Sequence, residues 1–243
     1  LLQDATGLPT VVDNDANTAA WAEARIGNHA SHMAFLTVGT GIGGGLILDN
    51  KLYRGKTGIG AEVGHLIIDP FGNHRCNCGN IGCLEALASG TALGCYGSAA
   101  AAAEPDGVLA RLAPESGAVT GKIVVAAARK SDPTALALFE RLGQWLGVGI
   151  ASLVNLFDFE LIVVGGGVAV EAGDLLLAPA RASFERFVFA REHRQLPPIV
   201  PARLKADAGW IGAAMLALEQ QDGVPRRAAP DCRAASALSL QPK

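Results

Sequence analysis

Cys76, Cys78 and Cys83 fall within the stretch CNCGNIGC and are three of only five cysteines in the chain. A C-x-C-x4-C spacing, with His65 upstream, supplies three thiolates and an imidazole, the donor set of a closed tetrahedral zinc site. Gly79 and Gly82 let the chain fold back so that three sulfurs converge within about 2.3 Å of one ion. A redox pair more usually takes the form C-x-x-C at a helix start. The odd cysteine count, with no leader-like segment at the start, does not suit a disulfide framework. Zn2+ is therefore expected on His65, Cys76, Cys78 and Cys83. His74 is a rival nitrogen donor but stands only two residues from Cys76, and Cys95 and Cys232 read as bystanders.

Two glycine runs could approach a ligand. Gly39, Gly41 and Gly44 match G-x-G-x-x-G, but the dinucleotide fingerprint must open a helix, whereas GGGLILDN continues as an apolar strand. What remains is a glycine hairpin flanked by Thr37 and Thr40, whose bare N–H groups and hydroxyls could meet a phosphate. An ordinary hairpin accounts for it equally well. Gly165, Gly166 and Gly167 end a buried strand and lead into a helix, the place where open α/β sheets bind ligands. A plain tight turn is the alternative. Asp13, Asn14 and Asp15 sit where a strand gives way to a helix, so one of them caps that helix while others can face a cleft. Glu62 and Glu85 flank the His65 and cysteine segment, which would aim both into one place. Carboxylates, an amide and an imidazole suit a polyhydroxylated ligand, each hydroxyl needing a partner.

The elements that carry these groups follow from the local pattern. Residues 1–7 read as a last helical turn closed by Gly7, and Thr10 to Val12 as a short strand. DANTAAWAEARIG is an amphipathic helix ending at Gly27, and MAFLTVGTGIGGGLILDNKLYRG is a three-stranded meander. Gly58 to Glu85 has little periodicity and needs something to order it. GCLEALASGTALGCYGSAAAAAE is helical in propensity. Asp132 and Pro133 open a long helix, FELIVVGGGV is a buried strand with a glycine turn and then a helix, and IVPARL precedes a small-residue helix. The order is that of an α/β protein.

Half of the 243 residues are apolar, enough for a substantial core. A net charge of -3, with no basic run interleaved with aromatics, disfavours nucleic acid as a partner of this chain. The longest apolar stretches are too short and glycine-rich to span a bilayer, so no membrane association and a cytoplasmic location are expected.

Taken together, DNDANTAAWAE, LTVGTGIGGGLI, EVGH followed by CNCGNIGCLE, and IVVGGGV closely resemble the ROK family of sugar kinases and repressors. The resemblance runs in unbroken order from residue 1 to about 220, and the first stretch is worded like that of the family's bacterial glucokinases. It implies the actin-like, RNase-H-like ATPase fold of sugar kinases. Residues 1–33 would belong to the smaller lobe and carry the base, 34–204 would be the larger lobe, 205–220 a C-terminal helix, and 221–243 a disordered tail. It further implies ATP-dependent phosphorylation of a hexose, glucose to glucose 6-phosphate first, with Mg2+ accompanying the nucleotide and structural Zn2+.

Position by position, the resemblance makes Asp15 the catalytic base and Asn14 a sugar ligand beside it. Glu62, His65 and Glu85 match hexose-binding residues, and His65 is also the fourth zinc ligand. Thr40 and Gly41 match the second phosphate loop, while Gly165, Gly166 and Gly167 match the adenosine site. The family's first phosphate loop, of Asp-Gly-Gly-Thr type, occurs nowhere in the sequence; its usual place lies before Leu1. The chain by itself is therefore expected to be a truncated form with little or no kinase activity, and its parent a homo-oligomer. The alternatives are the sugar-sensing part of a repressor of the same family, or a kinase for another hexose such as N-acetylmannosamine or fructose. The intact TVGTGIGGG loop and Asp15 favour a kinase, because a sugar sensor has no use for a phosphate cradle.

Overall fold

The computed structural model describes residues 2–114 and 118–222. Helix α1 (Leu2–Thr6) is closed by Gly7, whose φ of +68° only glycine adopts freely and whose N–H bonds the Gln3 carbonyl at 2.8 Å. Thr10 to Val12, expected as a strand, pairs with no other segment among the described residues, and Val12 is almost fully exposed. β-branched residues alone do not make a strand; a ladder partner does. Helix α2 (Asp15–Ala22) continues as a π-turn, Glu23–Gly27, instead of running to Gly27 in α geometry. The cause is Glu23, fully buried, whose carboxylate accepts from Leu204 N at 2.7 Å, Arg203 N at 3.2 Å and Asn28 Nδ2 at 2.8 Å.

The expected meander is present as β1 (Met33–Val38), β2 (Ile42–Leu48) and β3 (Lys51–Tyr53). After the cysteine segment the alanine-rich stretch forms two helices, α3 (Leu84–Ala88) and α4 (Gly90–Ala103), because Ser89 is extended and caps the second with its hydroxyl on Ala92 N. Helices α5 (Val108–Leu112) and α6 (Gly121–Ala128) precede α7 (Pro133–Phe157), which is capped by Asp132 as its sequence predicts. Strand β4 (Leu161–Gly165), helices α8 (Gly167–Ala172) and α9 (Asp174–Phe187), strand β5 (Ile199–Pro201) and helix α10 (Ala208–Asp222) complete the order. Of the tail expected over 221–243, Gln221 and Asp222 instead continue α10, and the remainder, with Cys232, lies outside the described residues.

The sheet runs β3-β2-β1-β4-β5, antiparallel through the meander and parallel from β1 to β5. Alternate residues of each strand face opposite layers. Ala34, Leu36, Ile162 and Val164 meet α3, α4, α6, α7 and α9 on one side. Met33, Phe35, Ile47 and Val163 meet α2 and α10 on the other. This is a sheet with helices on both faces, which is why its central strands are continuously apolar. No helix among the described residues is long and apolar enough to cross a membrane.

Helix α10 is clamped onto α2 because Gly212 has no side chain: a Cβ there would lie 1.7 Å from the Thr18 carbonyl oxygen. Trp21 Nε1 also donates to Glu219 Oε1 at 3.1 Å across the same interface. Gly212→Ala should therefore lower unfolding free energy by about 2 kcal/mol, the usual cost of overpacking. Gly209→Ala, on the same helix with open space around it, should be neutral or slightly stabilising. Urea denaturation of both variants measures the difference.

Candidate active site

The β1–β2 turn is held against the junction of α3 and α4 by three hydrogen bonds, two of them between backbones. Gly90 N donates to Gly39 O at 2.8 Å, and Thr91 donates to Thr40 O through its N–H at 3.2 Å and its hydroxyl at 2.8 Å. On the other side, Ile42 N donates to Glu85 Oε2 at 2.9 Å. Gly41 is required here, since a Cβ on it would meet Glu85 Oε2 at 2.2 Å. The turn thus brings Thr40, Gly41 and Glu85 together. All three line a cavity of about 480 Å³ that also reaches His74 and Arg75.

Thr40 also lines a second cavity of about 840 Å³, bounded by Thr91, Gly94, Val119, Lys122 and Gly167. Its walls are mostly apolar carbon, the character of a site for a flat aromatic ring. Of the three consecutive glycines, Gly167 alone lines it. Gly165 is buried against Ala202 and Phe35, and Gly166, at φ +89°, would drive a Cβ to 2.5 Å from the Val38 carbonyl oxygen. Cys95, read from the sequence as a bystander to the zinc cluster, lines both cavities. The stretch from Val119 to Lys122 carries no motif; the nearest sequence signal is Gly90-x-x-x-Gly94 in α4, where Gly94 packs on the Val119 carbonyl.

Asn14 and Asp15 stand at the N-terminus of α2 with exposed side chains. Asn14 is the N-cap: its Oδ1 accepts from Ala16 N at 2.8 Å and Asn17 N at 3.2 Å, which leaves its amide nitrogen to face outward. Asp15 Oδ1 accepts from Ala16 N at 2.8 Å. Beneath them Asp13 is buried, its side chain 7% exposed, and forms a fork with Arg54 Nε and Nη2, each at 2.7 Å from Oδ2. Its Oδ1 accepts from Asn14 N at 2.9 Å and Asn17 Nδ2 at 3.0 Å. Burial alone would raise the Asp13 pKa, but the hydrogen bonds from Asn17, Arg54 and the Asn14 N–H outweigh it and hold the carboxyl below its ordinary value. Asn17 Oδ1 is buried without a partner among the described residues.

Glu62 immediately precedes a 3-10 turn, Val63–His65, which is packed so tightly on β2 that a Cβ at Gly64 would lie 2.0 Å from Ile42 O. His65, Cys76, Cys78 and Cys83 come together with their donor atoms all within 4.8 Å of one another. His65 Nδ1 lies 3.6 Å from Cys76 Sγ, and the Cys78 and Cys83 sulfurs are 3.6 Å apart. A tetrahedral ion with metal–sulfur bonds of about 2.3 Å needs donors roughly 3.7 Å apart, so the spacing fits. The thiols oppose one another as bare anions: Cys83 is pushed up to about 12 by burial and by the neighbouring Cys78 and Cys76 sulfurs. A bound cation would resolve that conflict. His74 lies apart from this cluster, edge-on to Tyr96 and 3.2 Å from Arg141 Nη2. The cluster touches the turn through Cys76 Sγ, 3.9 Å from Glu85 Oε1.

Against known proteins, the family model described as "ROK family" matches residues 1–220. This chain belongs to the ROK family. It is 43% identical over 218 residues to a glucokinase of Streptomyces coelicolor, a match covering 88% of this chain and 68% of that enzyme. Among solved structures it is similar to a ROK family glucokinase from Streptomyces griseus in complex with glucose and AMPPNP, with a TM-score of 0.81 and 43% identity over 90% of this chain and 71% of that one. It is also similar to a ROK family transcriptional regulator, a homologue of the E. coli MLC protein, with a TM-score of 0.79 and 33% identity over 91% of this chain and 55% of that one. The fold is accordingly the actin-like ATPase fold of sugar kinases, as the resemblance implies.

The Asp13 fork sets an acid limit on stability. A carboxyl whose pKa is lowered by folding contributes stability that is full above its unfolded value, near 3.9, and is lost as pH falls through the folded value. The stability gap between the parent and Asp13→Asn should therefore be constant from neutral pH to about 5 and close below about 4. Urea midpoints across pH 3 to 7, roughly the window set by these values, read it directly.

Proposed function

We propose that this chain serves ATP-dependent phosphorylation of a hexose, glucose first, with Asp15 as the general base. The observation that carries the reading is the position of the Thr40–Gly41 turn. It borders a large apolar cleft of nucleotide size on one side and holds Glu85 on the other. A donor phosphate from the cleft and a hydroxylated acceptor beside Glu85 would meet at this turn. The S. griseus glucokinase, similar over most of this chain, binds glucose and a nucleotide analogue, which supports both halves of the reading.

The chemistry follows from the groups named. Asn14, through its free amide, and Glu62, His65 and Glu85 orient the sugar hydroxyls. Asp15 accepts the proton of the 6-hydroxyl as that oxygen attacks the γ-phosphorus in line, while the bond from phosphorus to the β,γ-bridging oxygen breaks and ADP leaves. The Thr40 hydroxyl and the turn's N–H groups stabilise charge on the phosphoryl oxygens. Adenosine lies in the cleft beside Val119 and Gly167. Mg2+ arriving with the nucleotide would supply the charge neutralisation on the phosphates. His65, Cys76, Cys78 and Cys83 would hold a structural Zn2+, which would order the loop between Glu62 and Glu85.

A second reading, sugar sensing in a ROK repressor, is favoured by the likeness to the MLC homologue. Calorimetry separates the two: a kinase binds both glucose and a non-hydrolysable ATP analogue, whereas a sensor binds the sugar alone. In the complete protein the rate of glucose 6-phosphate formation should fall at least about 100-fold in Asp15→Asn, with glucose affinity within about threefold. Retention of the parent rate would remove Asp15 as the base. Elemental analysis should find one zinc per folded chain, as a four-donor structural site requires. Cys76→Ser should lose the metal and several degrees of melting temperature, and a metal-free parent of equal stability would refute the assignment.

A further inference from the structure

The Asp13–Arg54 fork joins two segments that the sugar reading requires to stay in register. Asp13 precedes Asn14 and Asp15 directly, and its Oδ1 accepts from the Asn14 backbone N–H. Arg54 follows β3 and forms the neck of a closed loop: Gly60 N donates to Arg54 O at 2.9 Å, and a Cβ on Gly60 would lie 2.9 Å from that same oxygen. From that neck the chain passes directly to Glu62 and the turn that carries His65. The carboxylate takes both Arg54 Nε and Nη2 on one oxygen and two N–H donors on the other, so every direction open to it is engaged. Asn17 Nδ2, one of those donors, belongs to a residue only 2% exposed, which fixes the carboxylate from below.

An ion pair in this place does little as a surface contact, because Arg54 is 41% exposed at its side chain. Its geometric effect is larger. The guanidinium fork fixes both distance and angle between the start of α2 and the loop leading to Glu62, which a single flexible ammonium does not. We infer that Asp13 and Arg54 are positioning residues for hexose recognition, holding Asn14 and Asp15 at a set distance from Glu62 and His65 while touching no substrate themselves. The inference rests on the reading that those four residues face the sugar. Displacement of such groups by about 1 Å costs up to about 100-fold.

The test is calorimetry on the full chain, with glucose and separately with a non-hydrolysable ATP analogue. Asp13→Asn and Arg54→Met should each weaken glucose binding about tenfold, as misplacement of two of four partners would. The nucleotide Kd should stay within about twofold, because the large cleft shares no residue with the fork. Arg54→Lys, which keeps the charge and loses the fork, should fall between the parent and Arg54→Met, and it carries the test if Asp13→Asn does not fold. Glucose affinity unchanged in Arg54→Met and Arg54→Lys overturns the inference. Equal losses for glucose and nucleotide, tracking a lower melting temperature, overturn it too, since that marks a merely structural pair. Asn14→Ser checks the underlying reading, because serine preserves the helix cap but deletes the outward amide. If it leaves glucose binding intact, the sugar site is misplaced and the positioning role falls with it; if it weakens binding while the fork variants do not, only the positioning role falls.

Discussion

Everything at the candidate site depends on the close approach of two backbones, the β1–β2 turn and the α3–α4 junction. Gly39 and Gly90 meet at a carbonyl and an N–H 2.8 Å apart, and a Cβ on Gly90 would sit 2.7 Å from that same carbonyl oxygen. Gly90 cannot carry a side chain and keep this contact, whereas Gly39 has open space around it. Because the turn is fixed there, Thr40 and Gly41 are presented outward, the Ile42 N–H is aimed at Glu85, and the large cleft acquires its floor from α4. The break between α3 and α4 at Ser89 follows from the same constraint. A continuous helix would have carried Gly90 past the turn instead of into it.

A second theme is how carboxylates are held. Glu23, Glu85 and Asp13 each accept backbone N–H groups: from Leu204 and Arg203, from Ile42, and from Asn14. Glu160 does the same with Ser31 and His32, and those backbone and side-chain donors lower its pKa. In each case a charge pins one loop to a distant segment at fixed distance, a stiffer joint than apolar contact supplies. Glu23 shows the cost in local geometry: to reach the loop before α10 it widens the helix into a π-turn, a form that recurs where function displaces regularity. Gly27 completes the arrangement, since a Cβ there would lie 2.4 Å from the Glu23 carboxylate.

The cysteine cluster was legible in the sequence because three of its donors lie close together along the chain, so spacing alone constrains their meeting. The meander, the long helix opened by Asp132 and Pro133, and the buried strand before the glycine run were legible from period and caps. The walls of the large cleft were not. Val119 and Lys122 reach it from a segment without a motif, and only packing of Gly94 on the Val119 carbonyl brings them there. The Asp13–Arg54 pairing was equally silent: Asp13 stood out beside α2, but Arg54 lies in no motif, and β3 beside β2 is what brings it within reach. Thr10 to Val12 erred the other way: the residue types suit a strand, but strand identity belongs to the pair and not to the segment.

Glu85 connects the cysteine cluster to the turn, and this connection assigns the cluster its place in the chemistry. One oxygen of the carboxylate is bound by Ile42 N and the other faces Cys76 Sγ at 3.9 Å. A carboxylate offers about four acceptor directions, so two or three remain for ligand hydroxyls once the protein has used its share. The direction of those free lone pairs is set by where Cys83 starts α3, held by its bridge to Ile67 and by the turn at Gly82 packed on Asp69. A cation bound by the four donors would thus act on the sugar side of the Thr40 turn. The apolar cleft on the other side is built from α4, α6 and α8, none of which contributes a donor to the cluster. On the proposed reading, order in the cysteine loop is coupled to the Glu85 side of the turn, where the acceptor would sit, and hardly to the apolar cleft.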